Sequence, residues 1–501
     1  MIDLKEIIHS FSKEKQQEFI GYLAKKNKRK DAKNIQLVKL LTSDNLSSKD
    51  ICYVLYKKDN KVALHALRKR LFQSLIDFTA NSNIKEEHSV DMQMIKYILS
   101  ARTFLQKGNY LVGYKILDKA EIIAKEYQLY SILNEIYHTK IEYAHHFKSI
   151  NIDELVSQFK NNQKQHQIEE SFNIAYAKIR KTLNEINHQK KVIDLKTIIA
   201  DTLQEDAIAF SELSFKSLYQ IIQITNISSS QNFDYWNIES FLLETYKILK
   251  QHVSKEKQLY YHIEVLYVIS NTLFRNKKFL KALHYLELMN LYMHKKNKKY
   301  FKEFETKYTL LLALNYNYIG NQYFAINILQ PFVAQNKAKT VEQLDIYLCL
   351  IVFYAQQKQT QKSSTLLAKL YRTDQWYIEK AGIIWTIKKN IIEILIQLDL
   401  GNVNLIESRL KSFKRNYFKH LKEIHQENVI AYIQLIEIYF KNPEIVTSKK
   451  FYEKVESALN WVEKDKEDIF MMSFYAWLKA KMTKKDMYEV TLNLVQSTEG
   501  F

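Results

Sequence analysis

The chain has 501 residues and a formal net charge of +19, yet it contains only seven glycines and two prolines. Average usage would give roughly 35 glycines and 25 prolines at this length. Because these two residues end helices and build tight hairpin turns, their scarcity excludes glycine-rich phosphate loops and a sheet of short hairpins. The composition therefore predicts an all-α protein.

The basic excess consists mainly of lysine, with 65 lysines and nine arginines. Lysine, asparagine, isoleucine, tyrosine and phenylalanine all have A/T-rich codons, so an A/T-biased genome would give this composition without selection for phosphate binding. Arginine is also the better reader of phosphates and bases, because its planar fork bonds bidentately. The bulk charge thus favours a solvated, lysine-rich surface over a nucleic-acid partner.

Cysteines and apolar runs indicate the compartment. Cys52 and Cys349 are too few for a disulfide framework or a thiolate metal site, which fits a reducing environment. The first residues lack a basic segment followed by an apolar one, and no run approaches 18 apolar residues. We therefore expect a soluble, cytoplasmic protein with no membrane partner.

Residues 1–90 are predicted to form a basic N-terminal helical module. Its first 80 residues contain 17 lysines and arginines against 9 aspartates and glutamates. Helices are expected at about 34–43, 48–56 and 61–78. The third helix carries leucines at i, i+3, i+7 and i+11, which predicts one buried face: Leu64, Leu67, Leu71 and Leu75.

Two interpretations of this module remain open. The last two helices have the size of a helix-turn-helix unit, whose second helix enters the major groove of DNA. On that interpretation the polar side of the third helix supplies the nucleic-acid contacts: Lys61, His65, Arg68 and Lys69. The alternative is that the module only caps the rest of the chain, since terminal units of repeat proteins need a polar outer face.

Residues 91–230 are predicted to contain the first helical hairpins. The segment SARTFLQKGNYLVGYKILDKA resembles a tetratricopeptide hairpin in the spacing of its small, aromatic and turn residues: Ala101, Phe104, Gly108, Tyr110, Leu117 and Ala120. A long stretch at about 153–190 is predicted to be one helix that braces the neighbouring hairpins. The polar segment 227–235 is the expected seam before the next part of the chain.

Residues 231–501 repeat the hairpin pattern, so this region is similar to a tetratricopeptide-like α-solenoid of stacked antiparallel hairpins. The expected turns lie at Lys277, Gly320, Lys358 and Gly401, spaced by 43, 38 and 43 residues. The family's standard period is 34 residues, so these units are longer. Further turns are expected near two more lysines, Lys441 and Lys484.

One segment carries a pattern of metal ligands. EIYHTKIEYAHH contains two Glu-x-x-His pairs, Glu135/His138 and Glu142/His145, one heptad apart on one expected helix. Di-iron carboxylate proteins use such pairs, but from two different helices. Pairs about 10 Å apart on one helix cannot close on one centre. We predict no catalytic residue, metal or cofactor, and no small-molecule substrate is evident.

The resemblance implies where a partner would bind. In tetratricopeptide-like hairpins the first helix of each pair lines a concave surface, which here would carry Tyr267, Asn271, Arg275, Lys307, Asn317 and Tyr318. Amides, aromatics and a cation suit an extended peptide. The expected function is a non-enzymatic scaffold or adaptor that binds a protein or peptide partner.

The alternative function is that of a nucleic-acid-binding transcriptional regulator. Residues 34–78 would read DNA and the repeats would act as a sensor. This layout resembles bacterial regulators that join a DNA-binding head to tetratricopeptide arrays, which is an analogy of arrangement only.

Overall fold

Helices make up nearly all of the structure, a computed structural model. It describes residues 4–11, 13–26, 33–43, 47–86, 90–186, 213–232, 235–252, 256–334, 341–424, 426–459 and 469–496. None of these residues lies in a β-strand. The predicted all-α class is therefore confirmed.

The chain divides into two compact units, Met1–Asn162 and Gln163–Phe501. The domain boundaries expected after residues 90 and 230 remain predictions. The helices that begin in the first unit are α1 (Leu4–Ser10), α2 (Lys13–Lys26), α3 (Lys33–Ser43), α4 (Ser48–Tyr56), α5 (Lys61–Glu86), α6 (Val90–Gln106), α7 (Tyr110–Glu126), α8 (Tyr130–Tyr143) and α9 (Ile152–Ile186).

Helices α3, α4 and α5 match the three helices expected in the N-terminal module, although α5 continues eight residues past the expected end. Ser47 caps α4: its side chain accepts from the backbone N–H of Asp50, and the Asp50 carboxylate accepts from the Ser47 backbone. Cys52 is buried in the core of this module. All four leucines of the predicted apolar face lie in that core, as expected: Leu64, Leu67, Leu71 and Leu75.

The expectation that both Glu-x-x-His pairs share one helix is wrong. Helix α8 ends at Tyr143, and a 3₁₀ turn, Ala144–His146, follows it. The physical reason is aromatic packing, since the His146 ring stacks on Tyr110 with 3.6 Å between centroids. His145 therefore lies in the turn, away from the α8 residues Glu135 and His138.

Helix α9 is the long helix that the sequence predicted. It is one uninterrupted helix of 35 residues, and it starts where the Asn151 side chain accepts from the backbone N–H groups of Asp153 and Glu154. The expected last residues, 187–190, lie outside the described residues.

The remaining described helices of eight or more residues all belong to the second unit. They are α10 (Phe215–Asn232), α11 (Trp236–Gln251), α12 (Leu259–Arg275), α13 (Phe279–Met293), α14 (Phe301–Tyr318), α15 (Gln322–Ala334), α16 (Val341–Gln356), α17 (Thr360–Leu367), α18 (Asp374–Ala381), α19 (Ile383–Leu400), α20 (Val403–Glu423), α21 (Glu427–Lys441), α22 (Lys449–Ala458), α23 (Ile469–Thr483) and α24 (Met487–Gln496).

Successive helices of the second unit pack against each other in pairs: α12 with α13, α14 with α15, α16 with α17, and α19 with α20. The first helices of these pairs also touch one another, because α14 contacts α12 and α16, and α16 contacts α19. One continuous apolar core runs through the unit. The first helices therefore form a row whose facing side chains lie close together.

Left-handed residues end the first helix at six hairpin turns, all at positions predicted from the sequence: Gly108 (φ 80°), Lys277 (61°), Gly320 (102°), Lys358 (59°), Gly401 (72°) and Lys484 (54°). The residue after each one donates its N–H to the carbonyl five residues before it, as Lys278 does to Leu273 at 2.8 Å. This is the Schellman ending of a helix. The turn expected near Lys441 differs, since α21 ends there but the next residue, Asn442, has φ −144°.

Small residues occupy the places where paired helices approach. The four alanines that the repeat pattern puts at these points are fully buried: Ala101, Ala120, Ala313 and Ala325. Their burial was predicted from the spacing and is confirmed.

The polar segment 227–235, expected as a helix–helix turn at the seam, is helical over most of its length, because α10 continues to Asn232. Serine and asparagine lower helix propensity only weakly, and tertiary packing overrides such preferences. Leu218, Ile221 and Ile222 are fully buried earlier in the same helix and hold it in place. Residues 233–234 lie outside the described residues.

The C-terminal hairpin packs against the row of first helices. The Tyr318 and Ser473 hydroxyls lie 2.8 Å apart, and the Tyr488 hydroxyl donates to the Asn317 carbonyl at 2.6 Å. An ion pair of 3.1 Å joins Lys358 to Asp486. Residues 128 to 171 positions apart in sequence are thus brought together.

Candidate functional site

The N-terminal module presents a basic helix surface. Lys61, His65 and Lys69 are exposed on α5, and Arg68 is half-buried. The Arg68 guanidinium donates to the Ser48 hydroxyl at 3.4 Å, which ties α5 to the start of α4. The structure therefore places all four residues predicted to contact nucleic acid on one helix, with three of them in solvent.

A cavity of about 370 Å³ opens inside the second unit. Its wall comes from the facing sides of α12, α14, α16 and α19, completed by α18, α23 and α24. The volume lies within the range of about 300–1,000 Å³ that is usual for small-ligand pockets. Most of the wall is apolar, including Leu310, Leu314, Leu348, Val352, Ile392 and Leu395.

Four of the six residues predicted for the concave surface line this cavity. Tyr267, Asn271 and Arg275 lie at intervals of four on α12, which puts them on one face of that helix, and Tyr318 comes from α14. Two hairpins therefore contribute predicted residues to a single site.

The other two predicted residues lie outside the cavity wall. Lys307 is half-buried, pairs with Glu264 at 3.3 Å, and places its ammonium 5.7 Å from the Tyr267 ring. Asn317 is fully buried, and its amide donates to Gln356 at 3.3 Å. In this structure Asn317 is therefore part of the packing between α14 and α16.

Asp345 is the most perturbed acid of the cavity. Burial raises the pKa of its carboxyl to about 6, although the hydrogen bond from Trp385 and the charges of Lys388 and Arg275 act in the opposite direction. The Trp385 indole N–H donates to Asp345 Oδ1 at 2.9 Å. A carboxyl with this pKa changes its protonation between pH 5 and 7.

Asp399 lies elsewhere in the cavity wall in a different environment. Its carboxylate accepts from the Trp477 indole N–H at 3.0 Å and pairs with Lys481 at 2.7 Å. This carboxylate is thus compensated by its own neighbours.

Sequence reasoning did not single out Asp345, Trp385, Lys388, Asp399 or Trp477. A usable signal was present, because the acids interrupt apolar helical runs, in VEQLDIYLCLIVFYA and in IIEILIQLDLG. A charge inside such a run is costly to bury unless it is paired. The repeat pattern predicts the packing positions of each hairpin, and it does not predict which charged residues interrupt the apolar runs.

No reactive nucleophile or metal cluster stands out in the described part of the chain. Burial raises the pKa of the Cys349 thiol, which opposes formation of the thiolate. Glu135 is paired with Arg102 at 2.6 Å. No group of three or more histidine, cysteine, aspartate or glutamate side chains among the described residues is arranged to hold a metal ion.

Comparison of the chain with protein-family models, with curated proteins and with solved structures finds no match. None of the helices in the described ranges combines the length and the apolar character needed to cross a membrane.

Proposed function

We propose that this chain is a non-enzymatic binding protein, built in its second unit as a tetratricopeptide-like α-solenoid, and that it receives a segment of a protein partner on the row of first helices. The repeated pairing of helices and the six left-handed turns support the repeat architecture. The shared contacts of α12, α14, α16 and α19 support the position of the binding surface.

The observation that carries the proposal is the meeting of Tyr267, Asn271, Arg275 and Tyr318 at one cavity. An amide, a cation and two phenols can satisfy a peptide backbone and an acidic group. Because the cavity holds about 370 Å³, one side chain of the partner would enter it while the rest of the segment stays outside.

The test uses the full-length chain and a displayed library of random peptides. Peptides selected on the unaltered chain should bind at least tenfold more weakly to the double variant Asn271→Ala/Arg275→Ala. The matched control, Arg415→Ala/Asn416→Ala, removes the same two residue types from exposed positions on α20 and should bind as before. Equal binding by both variants, at an unchanged melting temperature, would refute this binding surface.

A second candidate function is nucleic-acid binding by residues 34–78. The observation that favours it is the exposure of Lys61, His65 and Lys69 along one helix, in a segment with an excess of basic residues. Phosphate contacts of this kind release counterions, so affinity should fall steeply as salt rises.

The DNA test compares two charge reversals in the full-length chain. Lys61→Glu/Lys69→Glu should weaken binding to a pool of duplexes at least tenfold and flatten its salt dependence. Lys411→Glu/Lys449→Glu changes the net charge equally at exposed lysines of the second unit and should have little effect. Similar losses in both variants would assign the binding to bulk charge.

A further inference from the structure

The cavity wall carries polar groups that have no hydrogen-bond partner within the described structure. The Asn271 amide makes no hydrogen bond, and Asp345 uses only Oδ1, which accepts from Trp385. The Tyr267 hydroxyl also has none, although burial raises the pKa of this phenol and keeps it neutral. All three side chains are half-buried and line the cavity, so a ligand in the cavity can use their polar groups.

Positively and negatively charged side chains line the same cavity. Arg275 and Lys388 line the cavity together with Asp345, and the charges of both cations act on that carboxyl. A purely anionic ligand would leave the Asp345 carboxylate facing another negative charge. A purely cationic ligand would face Arg275 and Lys388. A ligand with one positive and one negative group on neighbouring atoms matches all three side chains.

The rest of the wall is apolar and aromatic. Leucines from α14 and α16 and the ring of Trp385 surround the space next to the charged groups. A volume of about 370 Å³ suits a small molecule and is too small for an extended peptide.

We propose that this cavity binds a free α-amino acid with a large apolar side chain. Its carboxylate lies toward Arg275 and Lys388, its ammonium group toward Asp345, and its side chain among the leucines and Trp385. The Asn271 amide can donate to the carboxylate or accept from the ammonium group. This inference goes beyond the partner proposal, because the bound amino acid would occupy the space that the partner side chain of that proposal would enter.

Binding of such a ligand would change the protonation of Asp345. The charged groups that act on Asp345 are Lys388, Glu342 and Arg275. An ammonium group placed beside Asp345 favours its ionised form, so binding near pH 6 releases a fraction of a proton. A simple carboxylate in the same cavity would have the opposite effect, because it disfavours ionisation of Asp345 and takes a proton up. At pH 8, where Asp345 is already ionised, the release disappears.

The experiment is isothermal titration of the full-length chain with L-leucine, L-phenylalanine and L-tryptophan, each at about 10 mM, a level that detects dissociation constants near 1 mM. For phenylalanine, the analogues 3-phenylpropionate and phenethylamine lack the amine and the carboxylate respectively. We expect at least one amino acid to bind, and both analogues of phenylalanine to bind at least tenfold more weakly than phenylalanine does. Titrations at pH 6 in two buffers of different ionisation enthalpy should show proton release.

Two variants locate the site. Asp345→Asn retains an oxygen that can accept from Trp385, so it should fold while losing at least tenfold in affinity and all proton release. Glu453→Gln removes an exposed carboxylate on α22 and should bind as the unaltered chain does. The proposal is overturned if none of the three amino acids binds, if 3-phenylpropionate binds as tightly as phenylalanine, or if Asp345→Asn leaves affinity unchanged.

Discussion

Replacing Asp345 with asparagine should stabilise the protein at neutral pH and have no effect in acid. Burial raises the pKa of this carboxyl from its usual 3.8 to about 6. The unfolded chain therefore loses this proton at lower pH than the folded one does, and the contribution of Asp345 to stability falls as pH rises from about 4 to about 6. A difference of about 2 pKa units corresponds to about 3 kcal/mol, an upper bound because Asp345 keeps some contact with the solvent of the cavity. The asparagine amide does not titrate, so the variant avoids this loss.

The assay is urea unfolding followed by tryptophan fluorescence, because all five tryptophans lie at positions 236–477 in the second unit. Asp345→Asn should gain up to about 3 kcal/mol at pH 7.5 and about nothing at pH 4. Asp486 provides a control of opposite sign: burial opposes its ionisation, but hydrogen bonds and Lys358 lower its pKa overall. Its contribution is lost as pH falls. An equal difference between Asp345→Asn and the unaltered chain at both pH values would refute the reasoning.

Three other predictions concern a turn residue, a buried alanine and a buried ion pair. Lys484→Gly should gain a few tenths of a kcal/mol to about 1 kcal/mol in urea unfolding, because glycine relieves the left-handed φ of 54°; Lys485→Gly, at the next residue, should not be stabilising. Ala313→Leu should lose about 1–3 kcal/mol by overpacking a fully buried site, and an unchanged melting temperature would contradict this. Lys389→Ala should cost about 1–3 kcal/mol in the same assay, since Glu393 loses its 2.8 Å partner and keeps only Arg409, at 2.9 Å.

The sequence predicted the helices and their turns well because the signals were local. Four buried leucines on α5 follow from the helical period, and the turn at Lys277 follows from the spacing of small and aromatic residues around it. The lysines at left-handed positions are less expected, since glycine usually occupies such sites. They were found only because the repeat pattern fixed the register.

The cavity could be predicted only in part, since its wall depends on distant residues. The resemblance identified Tyr267, Asn271 and Arg275 because they share a face of one predicted helix. Trp477 and Met487 belong to the last hairpin, and no sequence pattern links them to α12. Asn317 shows why. Its position on the helix was compatible with an exposed surface, but α16 and Tyr488 pack against it. Its amide donates to Gln356 on α16, and its carbonyl accepts from the Tyr488 hydroxyl.

The contribution of the last hairpin to the cavity wall also affects the order in which the protein is made. Helix α19 ends at Leu400, and α24 ends at Gln496, so nearly 100 residues must be synthesised between them. At about 5–20 residues per second this takes roughly 5–20 s. During that interval the cavity wall lacks the residues of α23 and α24, so the leucines of α14 and α16 gain their final neighbours only when synthesis is nearly complete.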